Sequence, residues 1–241
     1  MSNIGFIGLG NMGFPMAQNL AKEKQHNIYV FDLNIETLKK NLWPENVVPT
    51  NDLSELAANS DTVITCLPDI SIVQKVYYGN KGILSDLKEG TLAIDMSSSD
   101  PHLTIELGNT LTKMGVDLID APVSGGVKKA ISGELAILVG GDKPNVEKAM
   151  PTLTLMGGKI IHTGSLGSGQ VCKCLNNLCS ATGLLVVAEA LSLAEKFGVM
   201  PGTFIDVLNY SSGKNNSTEN KFHQFILSEK FNSGFRMDLI N

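Results

Sequence analysis

The segment that most restricts the fold lies at the start of the chain. A short apolar run, Ile4–Ile7, passes directly into Gly8-Leu9-Gly10-Asn11-Met12-Gly13 and then into a helical pattern over Met12–Lys24. Gly8 permits a tight turn, Gly10 lets main chain approach a bound group, and Gly13 lets the helix sit close on the strand. Unpaired N–H groups at a helix start, together with the helix dipole, attract negative charge such as a pyrophosphate. Six letters alone are weak evidence, because a turn that binds nothing could carry them. The context is stronger: a second β-run, Ile28–Phe31, ends at Asp32, some nineteen residues beyond Gly13. A carboxylate there can accept both ribose hydroxyls of NAD and repels the extra phosphate of NADP. Leu33, Asn34 and Ile35 follow, with no arginine to offset that repulsion. NAD rather than NADP is therefore expected, held by Gly8, Leu9, Gly10, Asn11, Met12, Gly13 and Asp32.

Further β-runs are expected at Thr62–Cys66, Leu92–Asp95, Leu118–Asp120, Leu135–Val139 and Lys159–His162, with helical patterns such as Pro101–Met114 between them. Strand-helix alternation implies a mainly parallel sheet with helices on both faces, a Rossmann-type α/β domain. The pattern changes at Gly164-Ser165-Leu166-Gly167-Ser168-Gly169. Beyond it, apolar residues recur at Val171, Leu175, Leu178, Leu185, Val186, Leu193 and Phe197, ahead of Gly198 and Pro201. That spacing predicts one long helix over 168–197, with further helices at Pro201–Asn209 and Ser217–Leu227. The expected division is thus a dinucleotide-binding domain over 1–164 and an all-helical domain over 165–241. Phe235–Asn241 reads as a helix without a stop signal, so a further C-terminal segment is expected.

The 241 residues are 43% hydrophobic and 18% charged, with a formal net charge of -5. That balance suits a water-soluble globular chain and opposes contact with nucleic-acid phosphates. The stretch Gly183–Ala194 carries Glu189 and is expected to be too short to span a bilayer. The first residues, Met1-Ser2-Asn3-Ile4-Gly5, lack the pattern of a secretion signal, so a cytoplasmic or matrix setting is expected. Cys66, Cys172, Cys174 and Cys179 read as small packing residues, and His26, His102, His162 and His223 show no metal spacing. No metal is expected.

Two loops follow strands where an open parallel sheet binds ligands: Leu67-Pro68-Asp69 and Ser97-Ser98-Ser99. Ordinary turn chemistry would explain either loop taken alone. Asp120-Ala121-Pro122-Val123-Ser124-Gly125-Gly126 also follows a strand, and its last three residues leave N–H groups open to a carboxylate. Lys173 and Asn177 stand four residues apart near the start of the long helix, about 40° apart around its axis. Among apolar neighbours, Lys173 is either a solvated edge residue or a partly buried base. Burial would lower its pKa toward what proton exchange with an alcohol requires.

In this order, the glycine turn, the motif over 120–126 with Ala130 and Gly133, and Gly167-Ser168-Gly169-Gln170-Val171-Cys172-Lys173-Cys174-Leu175-Asn176-Asn177 resemble the β-hydroxyacid dehydrogenase family over the whole chain. The resemblance implies a Rossmann domain, a long interdomain helix and a helical C-terminal domain that forms a homodimer or homotetramer. It implies that Lys173 is the proton-transfer group and that Asn177, Ser124, Gly125 and Gly126 bind substrate. Leu67, Pro68 and Ser98 would line the cofactor. Asp32 matches the branch handling 3-hydroxyisobutyrate and its semialdehyde with NAD. Reduction of tartronate, glyoxylate or succinic semialdehyde is the alternative, and a catalytically inactive oligomeric scaffold is a further one. Family members continue with a Lys-Asp motif whose lysine contacts the cofactor, which is expected just beyond Asn241. Small hydroxy acids or semialdehydes are thus the expected partners, with neither nucleic acid nor membrane.

Overall fold

The computed structural model describes residues 2–40 and 43–231; the helix expected over Phe235–Asn241 lies outside the described residues. The elements run β1 (Ser2–Ile7), α1 (Gly13–Ala21), β2 (His26–Phe31), α2 (Ile35–Lys40), β3 (Val47–Pro49), α3 (Leu53–Asn59), β4 (Thr62–Thr65), α4 (Ile70–Tyr78), β5 (Leu92–Asp95), α5 (Pro101–Thr112), β6 (Asp117–Asp120), β7 (Val123–Ser124), α6 (Gly126–Ser132), β8 (Leu135–Gly140), α7 (Lys143–Leu153), β9 (Gly157–Gly164), α8 (Ser168–Lys196) and α9 (Pro201–Asn209). A π-helical segment, Thr218–Ile226, comes after α9.

The strands form one sheet in the order β3-β2-β1-β4-β5-β6-β8-β7, with β9 paired to β8. From β3 to β6 the pairing is parallel, with Ile4 opposite both Ile28 and Thr62. β8 runs antiparallel to β6 and β7 and parallel to β9. Neighbouring residues of each central strand enter different cores. Phe6, Ile64, Ile94 and Ile119 join one buried cluster, with Met16 and Leu20 of α1. Ile7, Val63, Ala93 and Leu118 join another, with Tyr77 of α4 and Leu107 of α5. Side chains alternate across a strand, so helices on both faces produce runs that are apolar throughout. The expected Rossmann-type sheet followed by helices is what forms.

Some local readings need correction. The short strands β3 and β7 were not foreseen, because three and two residues are too few to show a strand period. Helix α1 ends at Ala21, before Lys24, because Lys22 and Glu23 donate to Asn19 and Leu20, tightening the last turn. The helix expected over Ser217–Leu227 is wound as a π-helix over Thr218–Ile226, and Leu227 N–H donates to the Phe222 carbonyl five residues back.

The chain divides into two compact units, Met1–Lys173 and Cys174–Asn241, so the first turn of α8 packs with the first unit. The physical reason lies in the first unit. A Cβ on Gly169 would fall against the Leu138 carbonyl and within 2.7 Å of Asp120 Oδ2, so the start of α8 lies hard against the end of β8. In the second unit, Val187 and Leu191 of α8 pack with Ile205 and Phe222. The residues whose spacing announces α8 are exposed, from Val171 at 43% to Phe197 at 81%. Among the described residues α8 is also the one helix long and apolar enough to cross a membrane by length and composition. The expectation that no segment reaches bilayer length counted only Gly183–Ala194; the helix continues well to either side.

Candidate active site

The glycine turn follows the carboxyl end of β1, a central strand paired on both sides. Gly8 has φ +100°, a left-handed conformation that glycine adopts freely, and its N–H donates to the Phe31 carbonyl at 2.9 Å. A Cβ on Gly13 would collide with the Gly8 carbonyl oxygen, so this position fixes how closely α1 approaches the turn. Gly10 differs from both. It is exposed, and a Cβ built there meets nothing within 4 Å. Among the described residues, the N–H groups of Gly10, Asn11 and Met12 have no acceptor within the protein. An open concavity lined by unpaired N–H groups at a helix start fits a phosphate-bearing cofactor. A cleft of about 560 Å³ adjoins it, lined by Leu9, Gly10, Asn11, Phe14, Thr37 and Val127 among others.

Asp32 follows β2 and is half-buried. Its Oδ2 accepts from Leu9 N–H at 2.7 Å and its Oδ1 from Asn34 N–H at 2.8 Å. Each carboxylate oxygen keeps accepting capacity after one such bond, so the carboxylate is oriented by the turn yet able to take a hydroxyl. Leu67 is half-buried and Pro68 and Ser98 are exposed. The Leu67 and Ser98 loops are tied together, because Leu67 N–H donates to Ser97 Oγ at 3.0 Å. Ser124 closes β7, and Gly125 and Gly126 open α6 with φ of +134° and +68° and both exposed. These two conformations explain why glycine follows Ser124.

Lys173 is partly buried, and burial holds its amine below the usual lysine range. Of the two readings the sequence left open, this partial burial favours the shielded amine over the solvated edge. Asn177 lies on the same helix, in the second unit, and is half-buried.

A buried polar network escaped the sequence reading altogether. Asp95 ends β5; its Oδ1 accepts from Thr65 Oγ1 at 2.9 Å and Ser97 N–H at 3.1 Å, and its Oδ2 from Ser99 Oγ at 3.0 Å. Asp120 ends the neighbouring β6; its Oδ1 accepts from Gly167 N–H at 2.7 Å and its Oδ2 from Gln170 N–H at 2.8 Å. Burial pushes the Asp120 carboxyl above the usual range; its main-chain donors oppose that shift and the Asp95 charge adds to it. Gln170 then joins the two systems, accepting from Ser99 N–H at 3.0 Å and donating to the Ser97 carbonyl at 2.9 Å. The one available sequence signal was a pair of aspartates at the ends of adjacent strands. Among the described residues no group of three metal-ligating side chains occurs.

The family model for the NAD binding domain of 6-phosphogluconate dehydrogenase matches residues 3–164. The model described as NAD-binding of NADP-dependent 3-hydroxyisobutyrate dehydrogenase matches 167–241. The chain is 41% identical to the 2-(hydroxymethyl)glutarate dehydrogenase of Eubacterium barkeri, over 98% of this chain and 78% of that protein. It is 39% identical to the mitochondrial 3-hydroxyisobutyrate dehydrogenase of Mus musculus, over 88% of this chain and 62% of that enzyme's length. The structure of Mycobacterium tuberculosis 3-hydroxyisobutyrate dehydrogenase with L-serine superposes with a TM-score of 0.82 at 35% identity, covering 92% of this chain and 74% of that one. The chain therefore belongs to the β-hydroxyacid dehydrogenase family of nicotinamide-dependent oxidoreductases.

Proposed function

We propose that the protein interconverts a small 3-hydroxy acid and its semialdehyde with NAD, and that Lys173 exchanges the proton of the alcohol. The observation that carries this reading is the shielded amine of Lys173, on the first turns of a helix anchored to the strand ends. A nicotinamide cofactor, when bound, supplies the hydride chemistry; the protein supplies orientation and the proton. Gly8 to Gly13, Asp32, Leu67, Pro68 and Ser98 are the residues proposed to hold it. Ser124, Gly125, Gly126 and Asn177 are proposed to hold the substrate.

In the oxidation direction Lys173 must be neutral to accept the alcohol proton; in reduction its ammonium form returns it. Because burial lowers its pKa below 10.5, oxidation is expected to rise with pH through a midpoint below that value, and reduction to fall through it. Lys173→Ala in an absorbance assay at 340 nm tests the assignment, and unchanged turnover removes Lys173 from the mechanism. Asp32 supports NAD over NADP, since a second negative group would face its charge. Titration with NADH and NADPH tests this, and equal affinity would refute it.

Relatives named for 3-hydroxyisobutyrate and for 2-(hydroxymethyl)glutarate carry the same hydroxymethyl group beside a carboxylate, and differ in the remaining substituent. Both belong in the substrate panel, with tartronate, glyoxylate and succinic semialdehyde as competitors compared by kcat/KM. We also propose a homo-oligomer in a cytoplasmic setting. The exposed apolar row of α8 supports the first, and four unpaired thiols the second. A monomer in sedimentation refutes the oligomer.

A further inference from the structure

We propose that Gln170 is a positioning residue that couples the loop around Ser98 to Lys173, and so sets the cofactor side of the site and the proton-transfer amine in one frame. This rests on the function proposed above. The side chain is 1% exposed and engages three separate parts of the fold. Its carboxamide oxygen takes the Ser99 N–H at 3.0 Å and its carboxamide nitrogen gives to the Ser97 carbonyl at 2.9 Å, so one planar group grips both neighbours of the exposed Ser98. Its own N–H is held by Asp120 Oδ2 at 2.8 Å, while Asp120 Oδ1 takes the Gly167 N–H. Lys173 follows three residues later, on the same side of the helix and about 4.5 Å along it.

Neither end of this strut can slide freely. The Ser97 N–H and the Ser99 hydroxyl are both bonded to Asp95, which ends β5, and the helix start is bonded to Asp120, which ends β6. The two strands pair directly, Asp95 opposite Asp120. Gln170 therefore closes a ring through sheet, loop and helix. The ring fixes the distance between a loop proposed to touch the nicotinamide and an amine proposed to touch the alcohol. Reacting groups displaced by about 1 Å lose on the order of a hundredfold in rate.

The test compares the full chain with Gln170→Met, which keeps length and packing and removes both carboxamide bonds. The expected result has three parts. Turnover per folded molecule falls about ten- to hundredfold, with the NADH dissociation constant nearly unchanged and the melting temperature lowered by several degrees, as two lost buried bonds require. The deuterium isotope effect on kcat rises, because the hydride step becomes slower than product release. Amide exchange quickens at Ser99 and over 168–173, and stays as in the wild type over 62–66. A role confined to stability would lower the melting temperature while leaving turnover per folded molecule and the isotope effect as they were; that result overturns the proposal. Should Gln170→Met fail to fold, Gln170→Glu keeps the acceptor for Ser99 and loses the donor to Ser97, and the same readings decide. If the wild-type chain turns nothing over, the proposed function falls and the exchange data decide alone. Faster exchange at both segments then upholds the strut, and unchanged exchange at either refutes it.

Discussion

The three glycines of the first turn look equivalent in sequence, yet the structure gives them separable roles, and paired alanine substitutions expose the difference. At Gly10 the added methyl meets nothing within 4 Å, and φ lies outside the left-handed region. Stability should therefore hold or rise by about 0.4–1 kcal/mol, since alanine reduces the freedom of the unfolded chain. For a chain of this size that is roughly 1–4 °C in melting temperature. The same methyl occupies the space where phosphate oxygens would meet the free N–H groups of Gly10 and Asn11. Losing one or two bonds to a charged acceptor costs about 2–3 kcal/mol, or a roughly thirty- to hundredfold weaker NADH complex. At Gly13 the methyl falls on the Gly8 carbonyl oxygen and 3.2 Å from the buried Phe6 ring. The contact is with main chain, so the helix must move off the strand. A cost of about 3 kcal/mol or more is expected, or roughly 6–12 °C. Thermal melts by circular dichroism and NADH fluorescence titration read both quantities. A Gly10→Ala protein that melts several degrees low, or binds NADH as tightly as the wild type, would refute the assignment of that glycine to the ligand.

Lys173→Met should abolish turnover while stabilising the fold at pH 7 by roughly 1 kcal/mol, an ordinary single-site change. Burial lowers the folded pKa below the unfolded 10.5, so between those values the unfolded chain holds more protons and wild-type stability rises with pH. The advantage of the methionine variant should thus shrink as pH climbs toward 10.5, and a gap in urea midpoints that stays constant from pH 7 to 10 would contradict it. Burial, with the Asp95 charge adding to it, pushes the Cys66 thiol up to about 12, leaving about one part in ten thousand as thiolate at pH 8. Iodoacetamide should therefore modify the exposed Cys172, Cys174 and Cys179 and spare Cys66 in peptide mass spectra; equal labelling of all four would count against the burial.

What could be read from the sequence was whatever is encoded over a few neighbouring residues. The period of the central strands, the glycine turn and the Asp32 position sit in local windows, and each reappears in the structure. The lysine of α8 was also visible, but not its state, because whether an amine is wet depends on what covers it. Helical spacing announced α8 through Val171, Leu175 and Leu178, and gave no means of knowing that this row faces outward while Gln170 is buried. The glycine-rich stretch before α8 looks like a linker in sequence and gave no sign that Gly169 is pressed against Leu138 and Asp120.

The sequence by itself determined most of the elements, their alternation, and the placing of a glycine turn and Asp32 at the ends of the first two strands, since those follow from periodicity, turn chemistry and charge at short range. Tertiary structure decided how the start of α8, which carries Lys173, is held. The bonds that do this join Asp120 to Gly167 and Gln170 to Ser97, 47 and 73 residues apart, and such pairings exist only after parallel strands have brought their ends together. A hydrogen bond reaches about 3 Å, so chain separation says nothing of it until the sheet has formed.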